Sequence, residues 1–106
     1  MPHKVIWTES AAEDLDALFD YLTENASTLT ASSLCEKLIL TTEKLERFPR
    51  LYEAAPEYGQ GVRRISQQGQ NVLYEIDDVS QIVRVLAVVG SRQDAQKIRE
   101  QQGFKN

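Results

Sequence analysis

Residues 71–90 read NVLYEIDDVSQIVRVLAVVG, and the fold turns on them. Two apolar runs, 72–76 and 82–89, flank the polar segment Asp77-Asp78-Val79-Ser80-Gln81. Both runs are dense in β-branched and aromatic side chains, which suit a pleated, half-buried surface. A polar gap of this length is an ordinary hairpin connection, so the stretch reads as two antiparallel strands. Strict alternation puts Val83, Val85, Ala87 and Val89 on one face of the second strand and Ile82, Leu86 and Val88 on the other. Only Arg84 interrupts it. A strand apolar on both faces lies inside a sheet and needs cover from the rest of the chain.

That cover is legible upstream. Val5-Ile6-Trp7 reads as a short first strand. Ser10 stands three residues before Glu13, the spacing of a capping box. Leu15, Leu18, Phe19 and Leu22 follow at helical spacing, which predicts a helix over 11–24. Ser27-Thr28-Leu29-Thr30 forms a link with N-cap residues. A second stripe of Ala31, Leu34, Cys35, Leu38, Leu45 and Phe48 predicts a helix over 31–48, stopped by Pro49. Two such helices joined by a short link make an antiparallel hairpin that can lie on one side of the sheet. Residues 50–61 are irregular, with Tyr52 and Tyr58 as anchors. A strand over 62–66 and a turn at 67–70 lead into the central hairpin. Asp94 can cap a short last helix over 95–102, stopped by Gly103. The expectation is a single α+β domain spanning 1–106, in the order β-α-α-β-β-β: an N-terminal strand and a helical hairpin packed on a small antiparallel sheet.

Composition narrows the function classes. The chain is 42% hydrophobic and 26% charged, a globular balance. Its longest apolar run falls well short of the about 18 residues that a membrane span needs, and no signal peptide is visible, so a cytoplasmic location is expected. One cysteine, Cys35, excludes an internal disulfide and a cysteine metal cage. There is no metal constellation, no phosphate-cradling glycine loop and no Ser/His/Asp set, so no metal or cofactor is expected. Net charge is −4 and uneven: residues 1–50 hold nine acids against five bases, residues 60–106 seven bases against five acids. Any basic patch is therefore small and lies in the sheet half. The single histidine, His3, reads as a solvated terminal side chain.

One further reading comes from the order of segments. The strand, the acidic helix and the long helix ending Leu45-Glu46-Arg47-Phe48-Pro49 come first. Gly61-Val62-Arg63-Arg64-Ile65, Asn71-Val72-Leu73-Tyr74-Glu75-Ile76 and Ile82-Val83-Arg84-Val85-Leu86 follow. Together they resemble the RelE/ParE superfamily of toxins from bacterial type II toxin–antitoxin modules. The resemblance implies one of two activities. RelE-like members cleave mRNA on the ribosome with a basic cluster and commonly a C-terminal Tyr or His. ParE-like members lack that set and poison DNA gyrase by protein–protein contact.

On the ribonuclease reading, Arg64, Arg84 and Arg92 would steady the phosphate. Arginine stabilises the developing charge but stays protonated and moves no proton. Where a RelE-like toxin carries a further arginine this chain has Asn71, and at the position of the C-terminal tyrosine it has Ile98. The resemblance therefore favours the ParE-like branch, with DNA gyrase and a cognate antitoxin as protein partners. Arg63, Arg64, Arg92, Asp94 and Ile98 form the candidate partner-contact set. Neighbouring strand positions put Arg63 and Arg64 on opposite faces. Arg84 would pair with Glu75 or lie over Tyr74.

Overall fold

The computed structural model describes residues 2–91 and Ile98. Its elements run β1 (Lys4–Trp7), α1 (Glu9–Asn25), α2 (Thr28–Glu43), a 3-10 turn (Lys44–Glu46), β2 (Glu53–Ala54), a second 3-10 turn (Pro56–Tyr58), β3 (Arg63–Gln67), β4 (Gln70–Asp77) and β5 (Ile82–Gly90). The expected α+β order is present, with β2 as a two-residue addition inside the irregular loop.

The strands form one sheet in the order β1-β5-β4-β3-β2. Strands β2 to β5 pair antiparallel, but β1 joins β5 in parallel, so the sheet is mixed rather than wholly antiparallel. The helical hairpin follows β1 and carries the chain to the opposite edge of the sheet at β2, so β5 arrives beside β1 only after three antiparallel strands. Lys4 aligns with Ile82 and Trp7 with Val85, where β1 stops.

Helix α1 begins two residues earlier than the Ser10–Glu13 box suggests. Thr8 is the cap: its backbone is extended and its Oγ1 accepts from Ala11 N at 3.1 Å. Ser27 caps α2 through Thr30 N at 3.0 Å. This second helix also ends earlier than the apolar stripe suggests, tightening into a 3-10 turn at Lys44. The stripe loses its phase there. Leu45 is buried, whereas Phe48 points out and is 60% exposed.

The hairpin covers one face of the sheet. Ala11, Leu34, Leu38 and Leu45 meet Ile65, Val72, Tyr74, Val83, Val85 and Val88, with Val5, Trp7, Leu15, Leu18 and Leu22 around them. On the opposite face Leu73, Ala87 and Val89 meet Ala55, Tyr58, Val62 and Ile98. Ile98 is helical and buried against this second cluster.

The division of β5 between these faces departs from simple alternation. Leu73 aligns with Ala87 and Tyr74 with Val85, leaving Leu86 as an extra residue, a bulge. Before it, Val83 and Val85 face the helices. After it the phase shifts by one, so Val88 faces the helices and Ala87 and Val89 face the other way.

The edge that β1 leaves open beyond Val85 is closed by α1 and the residue that caps it. Thr8 N donates to Val85 O at 3.0 Å, Thr8 Oγ1 donates to Leu86 O at 3.4 Å, and Asp14 Oδ2 accepts from Val88 N at 3.0 Å. Tyr52 and Tyr58 anchor the irregular loop as expected, one against each face.

Candidate functional site

The strands place the described arginines of the candidate set on different surfaces. Arg63 and Arg64 are neighbours on β3, and they diverge. Arg63 aligns with Tyr74 on the helix-covered face and donates from Nη1 to Tyr52 O at 2.6 Å. Arg64 aligns with Leu73 on the outer face. Arg84, across β4, aligns with Glu75 and shares the outer face. It does not lie over Tyr74, which points the other way. Arg92 and Asp94 lie outside the described residues.

Each outer-face arginine is held by two carboxylates. Arg64 donates to Glu53, and from Nη1 to Glu57 Oε2 at 3.0 Å. The hydrogen bond to Glu53, with the charge of both acids, outweighs desolvation and holds the guanidinium more firmly protonated. Arg84 Nη1 lies 3.6 Å from Glu75 and 3.7 Å from Asp77. An incoming phosphate would have to displace two acids at either residue. This local balance of charge was not visible in the sequence. Glu53 and Glu57 sit in the irregular loop, and only the pairing of Glu53 with Arg64 in β2 and β3 brings them to bear.

The two positions where the RelE-like set is missing are occupied structurally. Asn71 is 3% exposed. Its Oδ1 accepts from Ser66 Oγ at 3.0 Å and its Nδ2 donates to Tyr58 OH at 3.1 Å. Ile98, placed in the contact set from sequence, is buried beside the same tyrosine. A buried amide with its partners supplied and a buried branched alkyl chain are packing groups.

Groups able to move a proton are placed elsewhere. Tyr74 donates its OH to Pro49 O at 2.9 Å, and burial raises its phenol above the ordinary value of 10.0. Burial also raises the Cys35 thiol, so Cys35 is a core residue rather than a nucleophile. His3 is not a loose terminal side chain. Only 13% of it is exposed, its Nε2 lies 3.3 Å from Asp78 Oδ1, and its backbone N–H donates to Glu46 O. Arg50 forks onto the same carboxylate at 3.2 and 2.5 Å. Those hydrogen bonds, with that of Arg50 the strongest, hold Asp78 below the usual carboxylate range. This cluster ties the N-terminus to the β4–β5 hairpin and the link after α2. Among the described residues no group of His, Cys, Asp and Glu is arranged to hold a metal.

Comparison with known proteins gives a consistent family. The family described as ParE toxin of type II toxin-antitoxin system, parDE, matches residues 5–95. No curated protein matches the chain by sequence. Among solved structures, the chromosomal ParDE TA system from P. aeruginosa is similar with a TM-score of 0.72 and 18% identity, over 83% of this chain and 95% of that one. The toxin–antitoxin complex RelBE2 from Mycobacterium tuberculosis gives 0.66 and 22%, over 85% and 99%. An arginine-to-alanine double mutant of E. coli toxin RelE in the free state gives 0.69 and 14%, over 96% and 98%. At these identities the likeness is one of fold.

Proposed function

Because this chain belongs to the ParE toxin family of type II toxin–antitoxin systems, we propose that it arrests growth by binding DNA gyrase in the cytoplasm rather than by cutting RNA. The observation that carries this reading is the state of the outer face. Arg64 and Arg84 are each neutralised by a pair of acids, and the places of the missing arginine and tyrosine are filled by buried Asn71 and Ile98. Cleavage of a phosphodiester by its 2′-OH needs cations free to meet the phosphate and groups that exchange protons with the attacking and leaving oxygens. That face supplies neither among the described residues. Binding to a protein target needs neither.

The second partner is a cognate antitoxin. Support comes from the family description and from two similar structures, named as a ParDE system and a RelBE2 toxin–antitoxin complex.

Expressing the chain alone tests the reading. Accumulation of cleaved gyrase–DNA complexes with induction of the DNA-damage response is expected. Transcripts cut within codons on the ribosome, with gyrase unaffected, would overturn it in favour of a RelE-like nuclease.

A further inference from the structure

The link after α2 exposes two large apolar side chains beside a set of unused charges. Phe48 is 60% exposed and Leu51 56%. They lie together because Leu51 N donates to Phe48 O at 3.1 Å, closing a turn through Pro49. The sheet holds that turn in place: Pro49 O accepts from the Tyr74 hydroxyl, and Tyr52 O accepts from Arg63. Phe48 and Leu51 both line each of two clefts, of about 460 and about 380 Å³. Scattered exposed apolar groups are ordinary. A pinned pair shared by two clefts is preorganised, with little ordering left to lose on contact.

The charges beside this pair are sorted by sign. Residues 44–46 form a 3-10 turn, with Glu43 before it and Arg47 after it in αR backbone. Three residues per turn stack every third side chain. Leu45 is buried and fills the inward side. Glu43 and Glu46 therefore fall on one flank, and Lys44 and Arg47 on the other. All four are exposed, and they line the larger cleft with Phe48 and Leu51. None of the four joins an ion pair among the described residues.

We propose that this surface is the seat of a homodimer, in which a second copy of the chain docks about a two-fold axis running between the two flanks. The proposal goes beyond the functional reading and does not depend on the toxin's target. A polyanion, or any partner of a single charge, would meet one flank of its own sign. The fitting partner sets bases against Glu43 and Glu46 and acids against Lys44 and Arg47. A second copy turned about that axis presents this arrangement by symmetry. The two Phe48–Leu51 pairs then meet at the axis. The four charges of each copy cancel, so the net charge of −4 is not concentrated at the contact. Two apolar side chains per copy make a small interface, for which a dissociation constant of about 100 µM is expected.

Sedimentation equilibrium of the purified full chain tests this, with circular dichroism to check folding. The parent is expected to dimerise as its concentration passes about 100 µM. Phe48→Ala/Leu51→Ala should stay monomeric. So should Glu43→Lys/Glu46→Lys and Lys44→Glu/Arg47→Glu, because each sets like charges face to face. Mixed in equal amounts, the two charge variants should pair at least as tightly as the parent does. Leu29→Glu, at the other end of α2, is the control and should dimerise like the parent. A parent still monomeric at about 1 mM overturns the inference. So does a dimer that survives either charge variant, or a mixture of the two that stays monomeric. Each of these outcomes leaves the toxin reading as it was.

Discussion

Asp14 shows how one side chain can serve two elements. It belongs to α1 by sequence, yet its carboxylate accepts from Val88 N on β5, 74 positions away. Burial raises its pKa above the ordinary 3.8, the Val88 hydrogen bond pulls it back, and nearby Glu13 adds to the rise. The folded chain therefore holds this proton more tightly than the unfolded one. Its contribution to stability is full below pH 3.8 and is lost as pH rises through the folded value.

Asp14→Asn keeps an acceptor for Val88 and removes the buried charge. It should be more urea-resistant than the parent at neutral pH, with the difference vanishing in strong acid. Asp14→Ala leaves the N–H without its acceptor and should cost about 1 kcal/mol at neutral pH. Equal urea midpoints for the Asn and Ala variants would refute this account. Such a role was not legible in the sequence, where Asp14 reads as one more acid near a helix start. The same holds for Glu53, Glu57 and His3, whose partners come from other segments. Arg84 with Glu75 was legible, because a hairpin register confines the choice to a few neighbours.

At the scale of elements, the strands and helices were readable from periodicity and their ends less so. Cap and stop signals are local, but the last turn of α2 answers to packing, and so Phe48 left the core. The β3–β4 turn shows local chemistry only partly optimised. Gln68 and Gly69 both have positive φ, +49° and +82°, as in the two-residue turns that match sheet twist. Glycine takes this conformation freely, whereas glutamine is strained there and asparagine much less. Gln68→Asn should stabilise the chain by about 0.5 kcal/mol. Gly69→Ala should destabilise it by about 1 kcal/mol for conformational reasons alone, since a Cβ there meets nothing within 4 Å. Thermal melting of the two variants checks both signs.

Across the whole molecule, the order of elements was legible and the mixed sheet was not. Apolar patterning reports which faces are covered but is silent on strand direction. The charge map likewise needed the fold. A sheet half with seven bases against five acids suggests a cationic face, but the folded outer face neutralises the arginines described on it. Non-specific binding of nucleic acid rests on free cations. The chain should therefore bind single-stranded RNA no more tightly than about 100 µM at physiological salt. Filter binding that shows low-micromolar retention with a steep salt dependence would contradict that picture.

The bulge in β5 makes one position in the central strand expendable. Removing Leu86 would leave Val85 followed directly by Ala87, and inward and outward side chains would then alternate without a break while keeping their present partners on β4. Loss of the codon for Ile82 or Val83 should instead slip the segment up to the bulge by one residue and turn Arg84 toward the helices. A scan of single-residue deletions through β5 should thus find soluble, folded protein at position 86 and aggregates at positions 82 and 83, marking where this lineage could lengthen or shorten without losing its core.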